Sequence, residues 1–289
     1  MEIINSIMKF LDAEMKTPTA YGWFHLLMFA LVIGFTVFLC VKFKNSTEKQ
    51  NKIILLTLGF ICIGFEIYKQ LNFSYNGGNW TYQWYAFPFQ FCSTPMYVAI
   101  IAGFLKPSKF RDCLYSFLAT FGLFAGLAVM FYPGDVFIST IGINIQTMVH
   151  HGLQITFGVY LIVSKRVELK PKTILKAAPV FMALVLIALS MNCITHFAGL
   201  TDTFNMFYIS PWYNCHLPIL SLVYANTPYI VFLLVYILGF TLCGFIVLMA
   251  ALGINKLYIL ISNKIKNRKQ ADSQNQEKLE NNNNEEKIE

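Results

Sequence analysis

Long apolar stretches constrain this chain more than any other feature. Seven of them, residues 21–41, 53–73, 87–105, 113–131, 142–163, 174–194 and 228–252, reach the length a membrane crossing requires. A helix needs about 20 mostly apolar residues to cross roughly 30 Å of hydrocarbon. Lipid offers backbone N–H and C=O groups no partner, so each stretch must satisfy them internally as a helix. The runs are also too continuous for the alternating pattern of a barrel. Composition agrees, with 56% hydrophobic and only 13% charged residues, against roughly 25% charged in soluble domains. A soluble globular domain, a nucleic-acid binder and a disordered chain are excluded. The expected fold class is an all-α polytopic membrane protein with seven transmembrane helices.

Lysine and arginine placement sets the expected orientation. Lys42, Lys44, Lys49 and Lys52 follow the first stretch, Lys106, Lys109 and Arg111 the third, and Lys165, Arg166, Lys170, Lys172 and Lys176 the fifth. The intervening loops carry none, and the end of the chain is again lysine-rich. The N-terminus is therefore expected outside and the C-terminus in the cytoplasm, and the net charge of +7 reads as a topological signal. Residues 1–20 place Ile3, Ile4, Ile7, Met8, Leu11 and Met15 at helical spacing, as an interfacial amphipathic helix would. The first apolar stretch is too long for a signal-peptide core and lacks a basic start before it, so no cleaved leader is expected. Residues 21–262 form the seven-helix domain. Residues 263–289, rich in Asn, Lys and Glu without apolar periodicity, read as a disordered cytoplasmic tail.

Depth within each stretch follows from about 1.5 Å of rise per residue. Cys92 falls roughly 8 Å below the outer edge, Glu66 roughly 10 Å, and His150 and His151 about 12–14 Å. Lys69 lies one turn from Glu66 on the same face and can pair with it. His25 sits near the outer start of the first stretch, and Asn192 and His196 near the outer end of the sixth. Ionisable groups inside a membrane are costly and usually face a cavity or one another. Their restriction to the outer halves, with the cytoplasmic halves essentially free of them, points to a polar pocket opening toward the outer leaflet. The seven cysteines form no Cys-x-x-Cys pair, so neither a disulfide framework nor a zinc-ribbon spacing is present. Most of them read as small apolar packing residues. The aromatic run Trp80, Tyr82, Trp84 and Tyr85 reads as an interfacial belt.

The stretch Phe87-Pro88-Phe89-Gln90-Phe91-Cys92-Ser93 resembles the Leu-Pro-x-His-Leu-Cys-Ser signature of the YwaF-like bacterial integral membrane proteins. The resemblance extends over about residues 20 to 255. His25 fits the histidine opening the first helix, Glu66 the acidic position of the second, and His151-Gly152 the Ser-His-Gly element of the fifth. Asn205-Met206-Phe207-Tyr208-Ile209 and Pro228-Tyr229 fit elements further on. Gln90 stands where many members carry histidine, so no role of that histidine transfers. YwaF-like proteins are in turn distantly similar to a vertebrate transmembrane acyltransferase acting on ether phospholipids, and more remotely to membrane hydrolases of fatty-acid esters. In that acyltransferase a cysteine and a histidine are proposed to be catalytic, matching Cys92 and the His150-His151 pair.

The resemblance implies a lipid acyltransferase or acyl-ester hydrolase in a cell membrane, that of a bacterium. Its partners are a phospholipid or lysophospholipid, with no nucleic acid, and neither cofactor nor metal is called for. Cys92 would be the nucleophile and His151, or His150, the base. Gln90, Ser93 and Asn192 could donate to the developing oxyanion, and Glu66, with Lys69 and His25 in support, could orient an imidazole. A rival reading gathers His25, His150, His151, His196 and Glu66 around zinc. A third is a non-enzymatic seven-helix receptor or transporter. No line of ionisable residues crosses the cytoplasmic half, as an ion path would need.

Overall fold

The computed structural model describes residues 2–285. It is all-helical, with no strand among the described residues beyond an isolated bridge between Glu14 and Thr140. Contacts divide the chain into two compact units, one ending at Leu248 and one starting at Met249. The candidate site lies in the first.

An amphipathic helix, α1 (Glu2–Leu11), precedes α2 (Trp23–Phe43) and α3 (Glu48–Tyr75). Then come α4 (Thr94–Phe104), α5 (Lys109–Phe131), α6 (Ile141–Val163), α7 (Ile174–Phe197), the short α8 (Leu220–Asn226) and α9, which starts at Tyr229 and continues to Glu285. Helical geometry therefore extends into the region that reads as a disordered tail. Its Lys, Glu and Gln content carries good intrinsic helix propensity without needing a packed face, and residues 286–289 lie outside the described part.

Among the described residues, five helices are long and apolar enough to cross a membrane: Trp23–Phe43, Glu48–Gly78, Lys109–Phe131, Pro171–Phe197 and Tyr229–Arg268. Two of the seven expected spans depart from that description. Residues 87–93 are not α-helical, and only Thr94–Phe104 of the third stretch is. Pro88 holds the residue before it extended, and Pro95 sits in the first turn of α4, where its missing N–H goes unneeded. Helix α6 is long, but Asn144, Gln146, His150, His151 and Gln154 make it less apolar, and all five are buried.

Burial explains that composition. Helix α6 packs against α2, α3 and α5, so its surroundings are protein rather than lipid. Glycine permits a close approach to α5: a Cβ at Gly126 would lie 2.6 Å from the His151 carbonyl oxygen. Helix α5 carries a π-helical turn at Leu118–Gly122, which lies against α4 and α6.

Polar groups gather at the two ends of the bundle. At the end where the Lys/Arg-rich loops lie, Glu48 bonds Arg111 and Arg166, and Asn51 links Tyr115 to Tyr160. Arg111 is buried there, so this end is not free of interior ionisable groups as the sequence reading expects. Its charge is offset by Glu48 at 2.8 Å.

Candidate functional site

Cys92 sits where irregular backbone meets a helix. It is central in a one-turn 3-10 segment, Phe91–Ser93, that feeds directly into α4. Irregular backbone in an apolar layer survives only if other groups satisfy it, and side chains do so here. Gln70 donates to the Ala86 carbonyl (2.6 Å) and Tyr97 to that of Pro88 (2.8 Å). The Cys92 carbonyl meets two groups from α6, the Nε2 of Gln154 at 2.6 Å and the Nε2 of His150 at 3.0 Å. Cys92 itself is half-buried.

Those contacts set the tautomers of both histidines. A carbonyl oxygen only accepts, so His150 must carry its proton on Nε2 to bond Cys92. His151 must likewise carry one on Nδ1, which lies 2.7 Å from the Thr147 carbonyl one turn earlier in α6. In the neutral rings this leaves lone pairs on His150 Nδ1 and His151 Nε2, both buried and without a partner among the described atoms. The two rings lie 5.6 Å apart.

Glu66 is buried and pairs with Lys69 at 2.7 Å, as their spacing predicts. Gln70 adds a bond to the same carboxylate oxygen at 2.8 Å, and the other oxygen, Oε2, has no partner. Among the described atoms, Glu66 Oε2, His150 Nδ1, His151 Nε2 and the Gln154 amide oxygen are buried without a partner. All four are hydrogen-bond acceptors, and the arrangement is suited to taking a proton or receiving a hydroxyl.

Gln90 and Asn192 meet a second irregular segment, residues 204–210, which is also buried. Gln90 donates to the Asn205 carbonyl (3.0 Å) and accepts from the Phe207 N–H (2.9 Å). Asn192 donates to the Met206 carbonyl (3.0 Å) and accepts from the Met206 N–H (2.8 Å). Each amide imitates a neighbouring strand. Between them they hold Phe207 and Tyr208 in the left-handed region, at φ 60° and 56°. Both amides therefore act as backbone clamps, with Phe207 packed on Phe91 beside Cys92 at 5.7 Å between ring centroids.

The remaining sequence-predicted residues go elsewhere. His25 accepts from the Tyr21 N–H at 2.9 Å and donates to the Met130 carbonyl at 2.9 Å, fastening the start of α2 to the end of α5. His196 stacks on Trp212 at 3.8 Å. Shared depth therefore does not bring the histidines together, and among the described residues no group of three or more His, Cys, Asp or Glu is placed to hold a metal ion. The zinc reading loses its ligand set. Gln154 and Gln70 were missed from sequence, although each lies one helical turn beyond a residue that was singled out, His150 and Glu66.

The sequence also matches a family model. The model for the TMEM164 family matches residues 20–250, and the chain belongs to that family. No curated protein and no solved structure matches it. Family and helices together make this a multi-pass membrane protein.

Proposed function

With membership of the TMEM164 family as premise, we propose that this chain is an integral membrane lipid acyltransferase or acyl-ester hydrolase working through Cys92 and His151. In this reading it lies within the YwaF-like branch of the family, in a bacterial plasma membrane. It crosses seven times, with α4 and its irregular entry serving as one crossing and α6 as another. The N-terminus and the Cys92 end face outward and the C-terminus inward. The observation that carries the reading is the grip of His150 and Gln154 on the Cys92 main chain, with His151, the next residue of α6, keeping a buried ring nitrogen without a partner among the described atoms.

The chemistry follows from those protonation states. His151 Nε2 takes the Cys92 thiol proton, since its Nδ1–H is already committed to Thr147. The thiolate attacks the acyl ester carbonyl of a phospholipid, the C–O bond breaks, and the leaving lysolipid oxygen takes the proton back from His151. A lysolipid hydroxyl or water, deprotonated in turn by His151, then attacks the thioester and frees Cys92. Glu66 stabilises the transient imidazolium, and His150 holds the nucleophile's backbone in place.

Intact-protein mass spectrometry of the detergent-purified protein incubated with phospholipid tests this, with lysolipid followed in parallel. Wild type should gain a hydroxylamine-sensitive acyl mass that Cys92→Ala lacks, and His151→Asn should acquire it at least about 100-fold more slowly. Equal lysolipid release by wild type and Cys92→Ala would overturn the thiol mechanism.

A further inference from the structure

Tyr236 of α9 is fully buried, and its hydroxyl has no hydrogen-bond partner among the described atoms. The ring is well accommodated. It stacks on Phe240 at 4.5 Å between centroids and lies parallel to Phe181 at 6.5 Å. A phenylalanine would make the same contacts, so packing explains the ring and not the oxygen. A buried hydroxyl without a partner is a net cost to the fold.

Its location gives the oxygen a use. Phe181 and Phe240 are also ring neighbours of Phe91, at 5.8 and 4.8 Å, and Phe91 directly precedes Cys92. Tyr236 therefore belongs to the aromatic cluster that packs against the residue before Cys92. The four unpaired groups on α3 and α6 are all acceptors. The side occupied by α9 instead offers an O–H donor. An acyl ester meeting a thiolate needs both kinds of group: an acceptor for the thiol proton, and a donor for the carbonyl oxygen as it becomes negative. Gln90 and Asn192, the amides expected to serve as donors, are engaged with backbone.

We propose that Tyr236 is a catalytic donor, its O–H hydrogen-bonding the substrate's acyl carbonyl oxygen as Cys92 adds to the carbonyl carbon. In that step the S–C bond forms and the carbonyl π pair moves onto oxygen, where Tyr236 stabilises it without giving up its proton. The pair then returns, expelling the alcohol oxygen. The assignment rests on the acyl-transfer reading above.

The test compares two reactions of Cys92 in wild type and Tyr236→Phe, both read by intact mass with Cys92→Ala as blank. One is acylation by the p-nitrophenyl ester of a medium-chain fatty acid, which develops a carbonyl oxyanion. The other is alkylation by iodoacetamide, a displacement that develops none at the attacked carbon. The Cys92→Ala blank subtracts whatever the other six cysteines contribute. Acylation should slow about 100-fold in Tyr236→Phe, the usual effect of losing one oxyanion donor, while alkylation holds and the melting temperature holds or rises, an unpartnered buried hydroxyl having been removed. Unchanged acylation, or an equal fall in both reactions, overturns the assignment. A wild type that alkylates normally but never acylates at Cys92 would overturn the acyl-transfer reading and this assignment with it.

Discussion

Asn192 and Gln90 show how much a single amide can do inside an apolar bundle. Two consecutive non-glycine residues in the left-handed region, Phe207 and Tyr208, cost on the order of 1–3 kcal/mol each. They persist because Asn192 holds both the N–H and the C=O of Met206, and Gln90 reaches past it to Asn205 and Phe207. Removing the Asn192 amide leaves two buried backbone groups without partners, at about 1–3 kcal/mol for each. Asn192→Leu should therefore lower the thermal unfolding midpoint well below that of wild type. Asn192→Asp, which keeps the acceptor for the Met206 N–H, should fall between the two. A leucine variant that melts with wild type would show that the turn needs no clamp. None of this could be read from sequence, because an asparagine near the end of an apolar helix looks the same whether it faces a substrate or a backbone.

Helices α4 and α6 mark where sequence reading succeeds and where it stops. Bounds of the apolar stretches are recovered closely for α2, α5 and α7, whose residues face lipid or core over their full length. The third stretch fails as a continuous helix because hydropathy does not register Pro88, nor the side chains of Gln70, Tyr97, His150 and Gln154 that make an irregular entry tolerable. Pairing of Glu66 with Lys69 was legible because it is local, one turn apart. Convergence of Cys92 with α6 is a matter of tertiary placement, which depth along a helix does not encode; the same depth reading sends His25 to Met130 instead. The same stretch of α6 is closely approached by α5 at Gly126. A methyl group there would meet the His151 carbonyl oxygen at 2.6 Å, and that backbone cannot give way as a flexible side chain could. Gly126→Ala should destabilise the protein by about 1–3 kcal/mol, the usual range for overpacking. It should also slow Cys92 acylation, since His151 moves with its backbone. A variant as stable as wild type would mean that the two helices separate freely, and that the site does not depend on their spacing.

Across the whole bundle, the candidate site and the basic loops occupy opposite ends. Cys92, Glu66, His150 and His151 lie at one, and the loops rich in lysine and arginine at the other, where Glu48 ties down Arg111 and Arg166. Positive loops are retained in the cytoplasm during insertion, so in the proposed orientation the Cys92 end would face the opposite leaflet. An enzyme built this way would draw acyl donors from the outer leaflet and could not reach a soluble cytoplasmic thioester. The orientation is testable without any assay of activity. Gly134, in the loop between α5 and α6, is exposed with open space around it, and Lys172, before α7, is exposed at the other end. In a background with the native cysteines replaced by alanine or serine, Gly134→Cys should react with a membrane-impermeant maleimide in intact cells. Lys172→Cys should react only after the membrane is opened. The reverse pattern would place the Cys92 end in the cytoplasm, and the acyl donor would then be sought among inner-leaflet lipids.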